Sequence, residues 1–192
     1  MKKPSNPTKR SQIFRAAAVL LFCAGFGSPS LRAAEVANLR CEYQTNPLAI
    51  DAARPRLSWT LSSPARGARQ SAYQILVARS PDKLAAGQGD LWASGKVASG
   101  ETTQIEYNGQ PLVSGAECFW KVRSWDAADK PGAWSKPARW TMGLLQPEDW
   151  RGQWIRADFT NSVSPWLRKT FSLAAVPERA LAYVNAVGYF EL

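Results

Sequence analysis

The sequence predicts an all-β protein whose main unit is a sandwich of two sheets. Apolar and polar residues alternate in short runs, and glycine, proline, asparagine and aspartate separate the runs. No long segment repeats at the helical period of 3.6 residues. Seven such runs in roughly 110 residues match the strand density of a sandwich. We therefore expect little helix.

Each predicted strand is a run in which every second residue points to the same face. In the third run, Tyr73, Ile75 and Val77 share one face. In the sixth, residues 118, 120, 122 and 124 face one way and residues 119, 121, 123 and 125 the other. The predicted strands are 36–43, 56–61, 72–78, 91–99, 102–107, 118–126 and 138–142.

The alternation stops after residue 143, which marks the end of the predicted sandwich at 35–143. Residues 144–152 contain a proline and two acids and are predicted to be a linker. Three further strands are predicted at 153–157, 166–173 and 179–187. They are too few to bury a sheet on both sides, so 153–192 is interpreted as the start of a second, truncated β-domain. Because the sequence ends inside an apolar run, we expect a longer protein.

Residues 1–34 have the features of a secretory signal peptide. Lysine and arginine without any acid precede an apolar stretch at 16–27, and small residues lead to Ala33 and Ala34. The alternative is a short membrane anchor, but the apolar stretch is short for a bilayer span. We predict cleavage after Ala33 or Ala34, export to the periplasm or the extracellular space, and no membrane association after cleavage.

Removal of the leader changes the charge of the chain. Six of the 24 basic residues lie at or before Arg32 and all 15 acids lie beyond it, so the net charge falls from +9 to +3. The remaining basic residues are scattered singly instead of forming a stripe. This distribution is typical of an ordinary solvated surface and argues against nucleic acid as a partner.

Two cysteines, Cys41 and Cys118, remain after cleavage. An exported chain meets oxidising conditions, which permit a disulfide. The alternative is that both are buried as small hydrophobic residues. The sequence leaves both possibilities open.

The sequence predicts no catalytic residue, metal site or cofactor. The chain has no histidine, no Cys-x-x-Cys and no glycine-rich phosphate loop. A glycosidase needs two facing carboxylates, but the acids here occur singly, mostly where turns are predicted. Those acids are Asp51, Asp82, Asp90, Asp126, Asp129, Glu148 and Asp149.

Nine tryptophans are the unusual feature of the composition. Exposed indole rings could stack on sugar rings, whereas buried ones build a core. Trp125 and Trp134 lie near predicted strand ends beside Asp126 and Gly132, and are the candidates for substrate binding. The tryptophans expected in the core or in packing are Trp59, Trp92, Trp120 and Trp140.

An ordered set of motifs resembles the bacterial α-L-rhamnosidases and covers essentially the whole chain after the leader. The motifs are LRCEY at 39–43, NPLAID at 46–51, RPRLSW at 54–59, QSAYQILVA at 70–78, GDLWASGKV at 89–97, WKVRSWD at 120–126 and AWS at 133–135. Residues 150–154, 167–171 and 187–192 resemble the opening of that family's second β-domain.

The resemblance implies a fibronectin type III/immunoglobulin-like sandwich followed by an incomplete jelly-roll-like β-domain. It also implies inverting hydrolysis of terminal α-L-rhamnosides by carboxylates of a later (α/α)-barrel, so no catalytic residue is carried over to this chain. The implied partners are that barrel, within the same polypeptide, and rhamnose-containing glycans. One departure is Cys118, which stands where the family commonly has tyrosine, so a tyrosine-corner hydrogen bond is expected to be missing.

Three hypotheses about function follow. The first is the non-catalytic N-terminal segment of a secreted α-L-rhamnosidase. The second is a stand-alone secreted carbohydrate-binding or adhesion module, and the third is the poorly folded product of a gene fragment.

Overall fold

The computed structural model describes residues 1, 34–156, 167–177 and 179–187, and it divides the chain into units at Met1–Asp149 and Trp150–Leu192. The first unit is built from two antiparallel sheets that share one core, which confirms the predicted all-β sandwich. The signal peptide predicted at 1–34 lies almost entirely outside the described residues.

All seven predicted strands of the sandwich are present. They are β1 (Glu35–Cys41), β2 (Arg56–Ser62), β3 (Ala72–Ala78), β4 (Trp92–Ala93), β5 (Ile105–Glu106), β6 (Glu117–Trp125) and β7 (Ala138–Thr141). One sheet has the order β1-β2-β5 and the other β4-β3-β6-β7. The helical elements of the described residues are α1 (Pro81–Ala85) and a 3₁₀ turn at Pro147–Asp149.

The core lies between the two sheets and follows the predicted alternation. In the β3–β6 pair, Ile75 is opposite Val122 and Val77 is opposite Trp120, and all four side chains are fully enclosed. They pack into the same cluster as residues of the smaller sheet such as Leu57. Burial of this apolar surface is the main stabilising contribution to the fold.

The outer face of β3 is covered as well, by the single turn of α1. Ser80 caps this helix because its hydroxyl accepts a hydrogen bond from the Lys83 backbone N–H. The capped turn places Leu84 against Leu76 and Ala78. Strand β3 is therefore buried on both faces, which explains its nearly continuous apolar sequence.

Left-handed backbone conformations shorten three of the predicted strands. The first predicted strand stops at Cys41, the fourth is reduced to β4, and the fifth to β5. An extended strand cannot contain a residue with positive φ without interrupting its hydrogen-bond ladder. The residues concerned are Glu42 (46°), Tyr43 (62°), Gly95 (65°) and Gln104 (57°).

The prediction of strands after residue 152 is wrong for the residues that the structure describes. The described parts of 153–157, 166–173 and 179–187 form neither strand nor helix, and Ala157 and Trp166 lie outside the described residues. A strand is stable only when its backbone groups are paired with a neighbour. Here large apolar side chains such as Trp154 and Phe171 are exposed, at 71% and 77%.

Cys118 is completely buried and lies opposite Trp140 in the β6–β7 pair. Cys41 is also buried, and both are free thiols, so the structure supports the interpretation as small hydrophobic residues.

A tyrosine-to-backbone hydrogen bond is present elsewhere. The Tyr107 hydroxyl lies 2.8 Å from the Gln110 carbonyl oxygen and 3.2 Å from that of Leu91.

The two thiols are expected to make the sandwich less stable in alkali. Burial raises the pKa of Cys41 and Cys118 to about 12, whereas an exposed thiol has a pKa of about 8.5. Between these values the unfolded chain loses its thiol protons and the folded chain keeps them. The free energy of unfolding should therefore fall as pH rises, by up to about 1.4 kcal/mol per pH unit for each thiol.

Urea unfolding at about pH 8 and about pH 10.5 measures this decline. A variant with Cys41→Ala and Cys118→Ala should show a shallower decline over the same interval. Equal slopes for the two proteins would contradict the assignment of buried, neutral thiols.

Ala49 occupies a conformation that glycine tolerates better. Its φ is 56°, in a segment held against β7 by a 2.8 Å hydrogen bond from the Ile50 N–H to the Thr141 carbonyl. Ala49→Gly is expected to raise the free energy of unfolding by about 0.5–1 kcal/mol because it removes the Cβ strain. The control is Ala86→Gly, at a φ of −68°, which should lower the free energy of unfolding by about 0.5 kcal/mol. Thermal unfolding measures both variants, and equal shifts in their Tm would contradict the role of Cβ strain at Ala49.

Candidate functional site

The two tryptophans proposed for substrate binding lie beside cationic side chains. The Arg123 guanidinium is 4.8 Å from the ring centre of Trp125 and 4.8 Å from that of Trp134. The Lys96 ammonium lies 5.2 Å from Trp125, and the Lys121 ammonium 5.0 Å from Trp134. These distances are those of cation–π contacts.

The exposure predicted for Trp125 is wrong, because its side chain is buried at 8% exposure. Trp134 is half-buried and packs with Phe119 against the cluster around Leu84. Lys121 donates a 2.6 Å hydrogen bond to the Leu84 carbonyl oxygen, and burial lowers its pKa. This group stabilises the outer face of the larger sheet, and the buried ring of Trp125 is not open to a sugar. The half-buried Trp134 stays a candidate.

Removing the cation between the two rings is expected to destabilise the sandwich. Arg123→Met keeps much of the side-chain length but loses both ring contacts and the 2.9 Å hydrogen bond to Gln74. We expect the free energy of unfolding to fall by about 1–2 kcal/mol. Arg66→Met, at an exposed position, is the matched control. Urea unfolding measures both variants, and an equal loss of unfolding free energy in each would contradict the role of Arg123.

A surface depression of about 360 Å³ lies between β4 and β5, which are edge strands of different sheets. The chain from β4 to Val97 forms one side, and residues 104–108 form the other. It combines aromatic, aliphatic and polar side chains. They are Tyr73, Trp92, Ser94, Val97, Gln104, Ile105, Glu106 and Asn108.

Most polar groups of the depression have no partner within the described part of the chain. The side chains of Gln104, Glu106 and Asn108 form no hydrogen bond or ion pair there, and all three are exposed. Ser94 differs, because its hydroxyl accepts from the Ile75 N–H at 2.9 Å. The depression therefore offers free donors and acceptors beside apolar side chains, which is the usual composition of a small-ligand site.

The sequence predicts that Trp92 packs in the interior, and the structure shows that this is true of only part of its ring. One part of its ring packs edge-on against Tyr107, with ring centres 5.4 Å apart, and the residue is only half-buried. The sequence feature that could indicate this is Gly95, three residues further on, because a glycine within a strand pattern marks an interruption. No group of three or more metal-ligating side chains is assembled among the residues described.

A family model described as the Rha78A-like, N-terminal immunoglobulin domain matches residues 36–146. The chain belongs to this immunoglobulin-domain family. The match covers the entire set of paired strands from β2 to β7 and nearly all of β1.

Curated relatives named α-L-rhamnosidase match this chain over more than the immunoglobulin domain. The protein of Streptomyces avermitilis is 42% identical over 137 residues, which is 71% of this chain and 13% of that protein. A protein of Formosa agariphila is 37% identical over 158 residues, or 77% of this chain and 17% of that protein. The chain thus spans less than a fifth of each of these relatives.

Solved α-L-rhamnosidase structures contain the same sandwich. The enzyme from Dictyoglumus thermophilum matches with a TM-score of 0.63 and 36% identity, over 65% of this chain and 14% of that one. The Streptomyces avermitilis enzyme complexed with L-rhamnose matches with a TM-score of 0.63 and 44% identity, over 66% and 12%. The immunoglobulin-like domain is therefore a non-catalytic segment of such glycoside hydrolases.

Proposed function

We propose that this chain is the N-terminal part of an exported α-L-rhamnosidase and that its sandwich supports the catalytic domain. The observation that carries the proposal is the match of residues 36–146 to the N-terminal immunoglobulin domain. A named α-L-rhamnosidase is also 42% identical to this chain over 137 residues. The whole polypeptide would act on terminal α-L-rhamnosides of rhamnose-containing glycans.

The hydrolysis itself would take place on residues beyond this chain. An inverting glycosidase needs a general acid and a general base about 6.5–9.5 Å apart. In the sandwich, acids such as Asp90 and Asp126 serve other purposes. Asp90 pairs with Lys83 at 2.7 Å, and Asp126 accepts hydrogen bonds from the backbone N–H groups of Ala128 and Lys130 in a turn.

Export and a second β-domain complete the proposal. The basic and apolar segments of residues 1–34 would direct export, leaving a mature chain that begins at Ala34 or Glu35. Residues 153–192 would start the second β-domain. The exposed side chains of Trp154 and Phe171 would then be covered. None of the helices described is long and apolar enough to span a membrane.

Hydrolysis of p-nitrophenyl α-L-rhamnoside tests the division of roles. The purified chain should release no nitrophenol, whereas the polypeptide isolated from its own host should release it. Hydrolysis by the chain that survives repeated purification would overturn the non-catalytic role. An inactive host polypeptide would overturn the proposed enzyme.

A further inference from the structure

The depression between β4 and β5 has the composition of a ligand site and no role in the proposed support function. We propose that it binds a terminal 6-deoxyhexose residue of a neutral glycan, as a non-catalytic sugar site on the sandwich itself. Such a site would hold the polypeptide near its glycan.

The first observation is the Tyr73 side chain. It is buried to 7% exposure and its ring packs edge-on against Trp59, with ring centres 5.2 Å apart. Its hydroxyl has no hydrogen-bond partner in the described part of the chain. The hydroxyl oxygen is also not fully enclosed by protein. This hydroxyl therefore opens into the depression from a largely buried ring, where it is free to bond a polar ligand.

The second observation is the set of polar side chains along residues 104–108, at the rim of the depression. Gln104 and Asn108 each offer amide donors and an acceptor, and Glu106 offers a carboxylate. Arg56, the residue opposite Glu106 in the β2–β5 pair, is already bound to Glu42 at 2.8 Å. Glu106 interacts with the charge of Arg56 without forming an ion pair with it. The carboxylate disfavours anionic ligands and can accept hydrogen bonds from sugar hydroxyls. These donors and acceptors match the hydroxyl groups of a neutral polyol.

The third observation is the apolar part of the depression. Trp92, Val97 and Ile105 line it and are all half-buried. An aromatic ring suits the C–H face of a sugar, and aliphatic side chains suit a methyl group better than a hydroxymethyl group. The volume of about 360 Å³ lies at the small end for ligand pockets. One sugar residue with a C6 methyl is the ligand that uses all three features.

Titration of the ¹⁵N-labelled mature chain with methyl α-L-rhamnopyranoside, up to about 100 mM, tests the site by NMR. The choice of rhamnose among 6-deoxyhexoses rests on the proposed function, whereas the site itself does not. We expect saturable shifts of the Trp92 indole N–H and of the Gln104 and Asn108 side-chain amides. The dissociation constant should be on the order of 1 mM or weaker, because few groups contact the sugar.

Tyr73→Phe is the decisive variant because the lost hydroxyl makes no hydrogen bond within the described chain, so the fold should be kept. It should weaken binding by about threefold to tenfold. Glu106→Gln, at an exposed position, should also weaken binding, whereas Glu148→Gln in the 3₁₀ turn should not. L-mannose, which differs from L-rhamnose by a C6 hydroxyl, should bind more weakly.

Absence of saturable shifts would overturn the site, as would binding that is unchanged by both Tyr73→Phe and Glu106→Gln. Equal or tighter binding of L-mannose would overturn the assignment to 6-deoxyhexoses. Each of these failures leaves hydrolysis by the host polypeptide unaffected. A failed site is therefore distinguishable from a failed assignment of the enzyme.

Discussion

Replacement of Trp140 by alanine is expected to lower the free energy of unfolding by about 4 kcal/mol. The side chain is completely buried and packs edge-on against Tyr107 and Trp120, with ring centres 6.1 Å and 6.3 Å apart. Its indole N–H also donates to the Met142 sulfur at 3.2 Å. Because small domains have only about 5–15 kcal/mol of stability, this loss should leave a marginal fold.

Urea unfolding followed by circular dichroism measures the effect. Trp140→Phe should lose less, because a ring still fills most of the space. Val113→Ala, at 64% exposure, should change the free energy of unfolding by less than about 0.5 kcal/mol. A loss below about 1 kcal/mol for Trp140→Ala would show that the aromatic cluster does not hold the two sheets together.

The second large effect is expected at Gly109, where a side chain has no room. An added Cβ would overlap the Leu91 carbonyl oxygen and lie 2.5 Å from the Tyr107 hydroxyl and 2.6 Å from the Trp92 Cβ. The same loop is joined to Leu91 by a 2.9 Å hydrogen bond from the Gln110 N–H. Gly109→Ala should therefore lower the free energy of unfolding by about 3 kcal/mol, through overpacking and loss of the Tyr107 hydrogen bonds.

Thermal unfolding provides the measurement, with a drop in Tm of roughly 15 °C for a domain of this size. Gly100→Ala is the matched control, because the nearest atom to its added Cβ, the Gln70 carbonyl oxygen, is 3.4 Å away. The control should move Tm by no more than a few degrees, about 3 °C. Similar shifts for both variants would contradict close packing of the Gly109 loop against β4.

The central strands could be predicted from sequence because their apolar residues alternate without interruption. The prediction for β3 agrees with the structure at both ends, and that for β6 is shifted by one residue. The predicted fourth and fifth strands were too long because alternation does not report φ. The left-handed backbone interrupts the ladder after β4, at Gly95, and before β5, at Gln104, within apparently regular sequence.

The candidate site could not be predicted in the same way. A position near a strand end suggests exposure for Trp125, but the ring is also contacted by Lys96, which a distant segment of the chain brings to it. The depression joins Tyr73 of one strand to segments around residues 92–97 and 104–108. Such a site exists only after two sheet edges meet, so no local spacing marks it.

The central claim is that these residues form the front of a larger exported α-L-rhamnosidase. The most direct test is the intact mass of the protein secreted by its own host, captured with an antibody against the exposed loop at 66–69. We expect a mass several times the 21.1 kDa of this chain, an N-terminus at Ala34 or Glu35, and aryl-rhamnosidase activity in the captured protein. A captured protein no larger than this chain, without activity, would contradict the claim.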